Sequence, residues 1–421
     1  LFVVIAGGRS TSSSFHPAMC KADKNAKKVD QLEGSSTMSE MKETTESNRT
    51  SSSSETGSEE GEELARHREL ITQQVKDDLK YSSSSSESYT GEEHDFSCKC
   101  NECLEEKLEA NLQLQRLINC WIERTLRKGI RGLRKEFFKE RNEVVPPASG
   151  CKEYFRNRNT GRNRYGNVYC LDETRVKLEA ESEANDYIHA NYVSTPFKHR
   201  RFICTQGPTA VSIIDFWRMI WQERVEFIVM LSQFEEKGIE KCAHYFPQRN
   251  GSTSQFDQFT ILCTASKRMS DRTCPIVCRD LSLKADGAEP ILIKHYQWIE
   301  WPDHGVPRTD QSILRLLDTV RMSIHPIVVH CSAGIGRSGV IIATEYVLEA
   351  LTCLQDCSDM LIVLKELRRQ RAGIVQTVQQ YLFVHRLLLL FFTETHHLKP
   401  TEAINNFIND YESFVQGRSA A

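Results

Sequence analysis

Hydrophobic and polar positions divide the chain near residue 104. Over the first hundred residues apolar side chains are sparse and polar runs dominate: four serines at 51–54, a Glu-dense stretch at 55–63, and five serines at 82–86. So little apolar surface cannot offset the entropy of ordering a chain, and residues 1–103 are expected to be disordered. Between the runs, Leu64, Ile71, Val75 and Leu79 predict a short helix of marginal stability. From Leu104 the pattern changes. Leu104, Leu108 and Leu112 recur four apart, and Leu117, Trp121 and an Arg/Lys-rich run to 141 follow, which predicts an amphipathic helix. Farther on, an apolar run at 326–329 precedes a glycine-bearing segment and then an apolar-rich stretch at 340–351. That order reads strand, tight loop, helix.

The loop between strand and helix is His330-Cys331-Ser332-Ala333-Gly334-Ile335-Gly336-Arg337-Ser338-Gly339. Its glycines let the backbone curl so that amide N–H groups point inward, and the helix start adds free donors and a positive dipole end. Such a cup binds a dianionic oxyanion, and phosphate is the obvious guest. A cysteine at its base sits in the same field, which favours thiolate over thiol. Of the 15 cysteines, Cys331 alone has an arginine six residues later. Arg337 can grip two phosphoryl oxygens as a planar fork, and Cys331 can attack phosphorus to form a thiophosphate. These two side chains and the residues of the cup, Ser332, Ala333, Gly334, Ile335 and Gly336, are the first candidates for catalysis and substrate binding.

Every defining position of this loop resembles the signature of the protein tyrosine phosphatase family, and four further blocks follow that family's order. The resemblance implies that Ser338 donates a hydrogen bond to Cys331 Sγ and that His330 orients the loop and favours the thiolate. Trp301-Pro302-Asp303-His304-Gly305-Val306-Pro307 is similar to the family's mobile acid loop. Asp303 would be general acid toward the leaving phenolate and then general base toward water. Gln376 and Gln380 match the family's water-orienting glutamines. Asn163-Arg164-Tyr165 resembles its recognition loop, where Tyr165 walls a deep slot that phosphotyrosine fills and phosphoserine is too short to use. Glu236 is expected to hold Arg337, Lys241 to contact Asp303, and Trp301 to support the acid loop. Three departures stand out, all of which bear on peptide binding: Asn167 where the family usually has an Asp that binds substrate backbone, Cys170 where a proline is common, and His189 where it usually has Asn. They put peptide affinity and preference in doubt rather than the chemistry.

The expected fold is therefore α/β, a twisted mixed β-sheet flanked by helices, with a catalytic domain at 104–395 and a C-terminal tail at 396–421. The resemblance implies a phosphotyrosine hydrolase that needs no cofactor and no metal. Alternatives are a catalytically weak phosphotyrosine-binding pseudophosphatase and a dual-specificity or lipid phosphatase; retention of Cys331, Asp303 and Tyr165 weighs against each. Charge adds little: the chain is at −3 overall, with residues 1–112 at −9 and the remainder at +6. A mildly basic catalytic half suits phosphorylated protein substrates, and no nucleic-acid partner is expected. Ser beside Glu clusters near the N-terminus could attract acid-directed kinases. Cys98, Cys100 and Cys103 with His94 are zinc-type donors without a second pair at finger spacing, so no metal is assigned. The apolar stretch at 1–6 is too short for a membrane span. Abundant cysteine points to a reducing, cytoplasmic setting, with a membrane segment upstream of Leu1 left open because the sequence lacks an initiating Met.

Overall fold

The computed structural model describes residues 101–141, 145–179, 186–270, 274–302, 305–307, 311–395 and 401–419. The expected disordered region up to residue 100, the helix at 64–79, the Cys98 and Cys100 donors with His94, and Asp303 with His304 lie outside the described residues. The described chain falls into two units, the opening turns of the first helix up to Gln113 and everything from Leu114 onward. The second unit carries the site.

Helix α1 (Asn101–Arg141) is two helices joined at Gly129, whose φ of 55° breaks the helical path. It is followed by the short α2 (Lys152–Arg156) and strands β1 (Arg175–Lys177), β2 (Tyr187–Val193) and β3 (Phe202–Thr205). Helix α3 (Ile213–Gln222) and strand β4 (Phe227–Met230) come next, then the hairpin β5 (Glu235–Glu236) and β6 (Ile239–Glu240). Strands β7 (Thr253–Phe256), β8 (Phe259–Arg268), β9 (Ile276–Ala285) and β10 (Ile291–Trp298) form a meander. Helix α4 (Gln311–Val320), strand β11 (Ile327–His330) and helices α5 (Arg337–Thr352), α6 (Met360–Gln370), α7 (Val378–Thr395) and α8 (Glu402–Ser419) complete the chain.

Nine strands form one mixed sheet in the order β1-β2-β3-β11-β4-β10-β9-β8-β7, flanked by helices as expected. Its centre is parallel, β11 lying between β3 and β4 with Val329 opposite both Cys204 and Val229. These central strands are apolar without alternation in the sequence because both faces are covered. Their side chains still alternate in space. Ile327, Val329, Phe202, Cys204 and Val229 enter a core shared with α1, α4, α5, α6 and α7. Val328, Ile203, Ile228 and Met230 face α3 on the other side. Fourteen of the 16 residues of α5 are buried, so it is the central helix rather than an amphipathic surface one. It therefore holds the loop before it against the core.

The C-terminal segment departs from the expected tail. Ile404, Phe407 and Tyr411 in α8 are buried in the helical core, with Arg386 placed over the Tyr411 ring and Arg134 over Phe414. The spacing of these residues is that of an apolar helix stripe, and burying it against α7 is what orders the segment. Among the described residues no helix is long and apolar enough to cross a membrane.

Candidate active site

Strand β11 ends at His330, and residues 331–336 turn into the N-terminus of α5. Gly334 has φ 67°, and a Cβ there would lie 2.0 Å from Thr205 O, so only glycine fits. The loop carbonyls are all engaged from outside. Gly207 N donates to Ser332 O (2.9 Å), Arg371 Nη2 to Ala333 O (3.1 Å), Arg371 Nε to Gly334 O (3.1 Å), and Val375 N to Ile335 O (2.9 Å). With the carbonyls directed outward, the alternate ends of those peptides, the N–H groups, are directed into the cup. Gly334 N approaches Cys331 Sγ at 3.3 Å, and Cys331 is 4% exposed.

Arg337 is buried, and its fork is fixed by Glu236. Nη1 and Nη2 each donate to one carboxylate oxygen at 2.6 Å, and Nη1 also donates to Leu231 O at 2.8 Å. Glu236 is placed by the β5–β6 hairpin, whose turn residues Lys237 and Gly238 both have positive φ, as the tightest hairpins require. The guanidinium face away from Glu236 is thereby preoriented toward the cup.

The glutamines stand over the same loop. Gln380 Oε1 accepts from the N–H groups of Gln376 and Thr377, both at 3.1 Å, which fixes the amide orientation and turns Nε2 toward Gly336. A Cβ on Gly336 would meet Gln380 Nε2 at 2.9 Å and Gln376 Oε1 at 3.0 Å, so both amides border the cup.

Tyr165 reaches the loop directly, with its Oη 2.7 Å from Ser332 Oγ. Ser332 Oγ donates its own proton to Lys241 O (3.0 Å), so Tyr165 is the donor in that pair. Tyr165 O accepts from Tyr154 Oη, and Asn163 is tied to Tyr154 O and Tyr187 Oη. Asn167 is exposed at the rim. Lys241 enters through its backbone carbonyl; Asp303, its expected side-chain partner, lies outside the described residues. On either side of that position, Trp301 Nε1 donates to Gly305 O (3.1 Å) and Gly305 N to Pro302 O (3.2 Å), while Trp301 packs edge-on against Trp298.

Two expectations change, those for Ser338 and His189. Ser338 Oγ is fully buried and makes no hydrogen bond to any described residue, so the expected donation to Cys331 Sγ is not made. His330 is fully buried, its Nδ1 lies 3.3 Å from Cys331 O, and burial pushes its imidazole down to about 4. His189 lies behind the loop rather than at the peptide rim. Its Nε2 donates to Val168 O (3.0 Å) and its Nδ1 accepts from Arg371 Nη1 (3.2 Å), a neutral form consistent with burial lowering it to about 3.

Arg371 itself was missed. It is fully buried and spans Ala333 O, Gly334 O, His189 and Asn191 Oδ1 (2.7 Å). In the sequence it sits in Arg368-Arg369-Gln370-Arg371, indistinguishable from a solvated basic run. Cys204, whose thiol donates to Gly334 O at 3.1 Å, had no signal beyond an apolar strand position.

A family model described as protein-tyrosine phosphatase matches residues 159–390, which contain every residue of this site. This chain belongs to the protein-tyrosine phosphatase family. Its phosphatase domain is 35% identical over 269 residues to human tyrosine-protein phosphatase non-receptor type 12, covering 62% of this chain and 33% of that protein. It is 35% identical over 253 residues to the human phosphatidylinositol phosphatase PTPRQ, covering 59% and 11%. The chain thus spans a third or less of the length of these curated relatives. Among solved structures, PTPN18 in complex with HER2 phosphopeptides matches at 30% identity and a TM-score of 0.57, covering 62% of this chain and 99% of that one.

Proposed function

We propose that this phosphatase domain hydrolyses phosphotyrosine in proteins through a cysteinyl-phosphate intermediate. The observation that carries the reading is the Glu236-held fork of Arg337 on the same loop as Cys331, whose Sγ the Gly334 N–H approaches at 3.3 Å. Cys331 Sγ attacks phosphorus as the phosphorus–phenolate bond breaks, and Asp303 gives its proton to the departing oxygen. Arg337 and the loop amides stabilise the equatorial oxygens throughout. Gln376 and Gln380 then orient a water, Asp303 takes its proton, and the sulfur–phosphorus bond breaks to release phosphate and regenerate the thiolate. Ser332 holds Tyr165, whose ring sets the depth of the slot.

The setting is proposed to be cytoplasmic, in keeping with the abundance of cysteine, and the Ser/Glu-rich N-terminal region is proposed as a kinase target. The name of PTPRQ raises a phosphoinositide substrate as a second reading. Tyr165, tied to Ser332, weighs against it by narrowing the slot. The test is turnover of phosphotyrosine peptide, phosphoserine peptide and phosphoinositide side by side, with Cys331→Ser as control. Phosphotyrosine turnover should dominate and the variant should lose at least about ten-thousandfold. Full activity of Cys331→Ser, or a preference for phosphoinositide, would overturn the assignment.

A further inference from the structure

Behind the phosphate loop, three buried side chains form a hydrogen-bonded chain that ends on the backbone of Cys331. His330 Nδ1 lies 3.3 Å from Cys331 O, and His330 Nε2 lies 2.8 Å from Tyr245 Oη. On its other side Tyr245 Oη lies 2.7 Å from His295 Nε2. His295 sits on β10 opposite Ile228 of β4, and His330 ends β11 opposite Met230 of β4. Tyr245 therefore bridges two strands that do not touch. All three side chains are fully buried.

The direction of the protons follows from the acceptor-only end. A carbonyl oxygen cannot donate, so His330 Nδ1 carries a proton. Burial keeps His330 and His295 neutral, with Arg279 adding to the effect at His295 and Arg164 at His330, so each ring holds one proton. His330 Nε2 is then a lone pair, and the Tyr245 hydroxyl must donate to it. Met230 Sδ, 3.9 Å from Tyr245 Oη, is a thioether and the weaker acceptor. With its one proton committed, Tyr245 Oη accepts from His295 Nε2–H. His295 Nδ1 is left as a bare lone pair, and it has no hydrogen-bond partner among the described residues. An under-satisfied acceptor is the tolerable kind of orphan. Reversing the chain would require a doubly protonated His330 or the loss of its bond to Cys331 O.

We propose that His295 is a positioning residue for Cys331: by donating to Tyr245 it sets the His330 tautomer whose Nδ1–H holds the Cys331 carbonyl. This rests on the reading of Cys331 as nucleophile. The held carbonyl fixes the peptide that begins the cup, so the thiolate depends on a side chain two strands away.

The test compares His295→Leu, which removes the donor, with His295→Gln, which keeps an N–H on a side chain of similar reach. His385→Leu is the control, because it removes an equally buried imidazole from between α1 and α7. Iodoacetate alkylation of Cys331 is followed from pH 5 to 8 alongside kcat and KM for p-nitrophenyl phosphate and thermal unfolding. His295→Leu should slow alkylation at pH 6 by about fivefold and lower kcat with little change in KM. His295→Gln should recover most of both, and His385→Leu should lower Tm while leaving the alkylation profile in place. An alkylation profile in His295→Leu no different from that of His385→Leu, or no recovery in the Gln variant, overturns the proposal. If His295→Leu does not fold, imidazole 15N shifts of the unaltered chain decide: Nε2–H at His295 with Nδ1–H at His330 supports the chain, and the reverse pattern overturns it. A chain that alkylates normally but does not turn over aryl phosphate would instead defeat the functional reading alone.

Discussion

The phosphate loop and the recognition rim meet at a single pair of hydroxyls, Ser332 Oγ and Tyr165 Oη, yet they are built in opposite ways. In the loop, residues 332–335 have every carbonyl engaged, and the braces come from distant elements: Gly207 after β3, Arg371 after α6, Val375 before α7. Cys331, Arg337 and Gln380 are almost wholly buried. At the rim, Gly166 and Asn167 are exposed, and the recognition tyrosine is half buried. Over-determined geometry protects charge stabilisation, which loses strength steeply with misplacement. An exposed rim protects nothing of the chemistry, so it is free to differ, and it is where Asn167 departs from the family pattern.

That contrast can be broken at several points. Arg337→Lys keeps the charge but loses the fork, and kcat should fall about a thousandfold with stability little reduced; a fall below tenfold would show that the Glu236-held geometry is not needed. Arg371→Gln should lower kcat for p-nitrophenyl phosphate by about a hundredfold, because Ala333 O loses its donor and Gly334 O keeps only the weak Cys204 thiol. A change confined to KM for peptides would mean that Arg371 belongs to the rim. For His189 the sign of the pH effect is fixed by its lowered value. The unfolded chain binds a proton near pH 6.5 and the folded chain only near 3, so stability falls as pH drops between them, by up to about 1.4 kcal/mol per pH unit. His189→Asn should remove that share, narrowing the difference in unfolding free energy between pH 7 and pH 5 by about 1–2 kcal/mol in urea titrations; an unchanged difference would place a proton on His189 in the folded state. Asn167→Asp should lower KM for a phosphotyrosine peptide by about fivefold and leave p-nitrophenyl phosphate unchanged. Equal effects on both substrates would show that the rim reaches the chemistry after all.

Much of this was legible in residue order. The apolar run before His330, the glycines after it and the apolar stretch from Val340 dictate strand, loop and helix whatever surrounds them. The same local reading failed for α8, whose apolar stripe at Ile404, Phe407 and Tyr411 is buried in the helical core by tertiary packing. Arg371 failed for a related reason. A buried arginine and a surface arginine have identical neighbours in sequence, and only packing distinguishes them.

The sequence alone determined the proposed chemistry: a candidate nucleophile, an arginine fork and a candidate phosphate cup are contiguous, within ten residues, so their relation follows from local backbone geometry. What holds that cup was decided by the tertiary structure. Glu236, Arg371, His189, Tyr245 and His295 come from separate elements, and their partners are specified by strand order and burial rather than by spacing along the chain. Burial also decided the charge state of the histidines, because the cost of desolvating an imidazolium depends on everything packed around it.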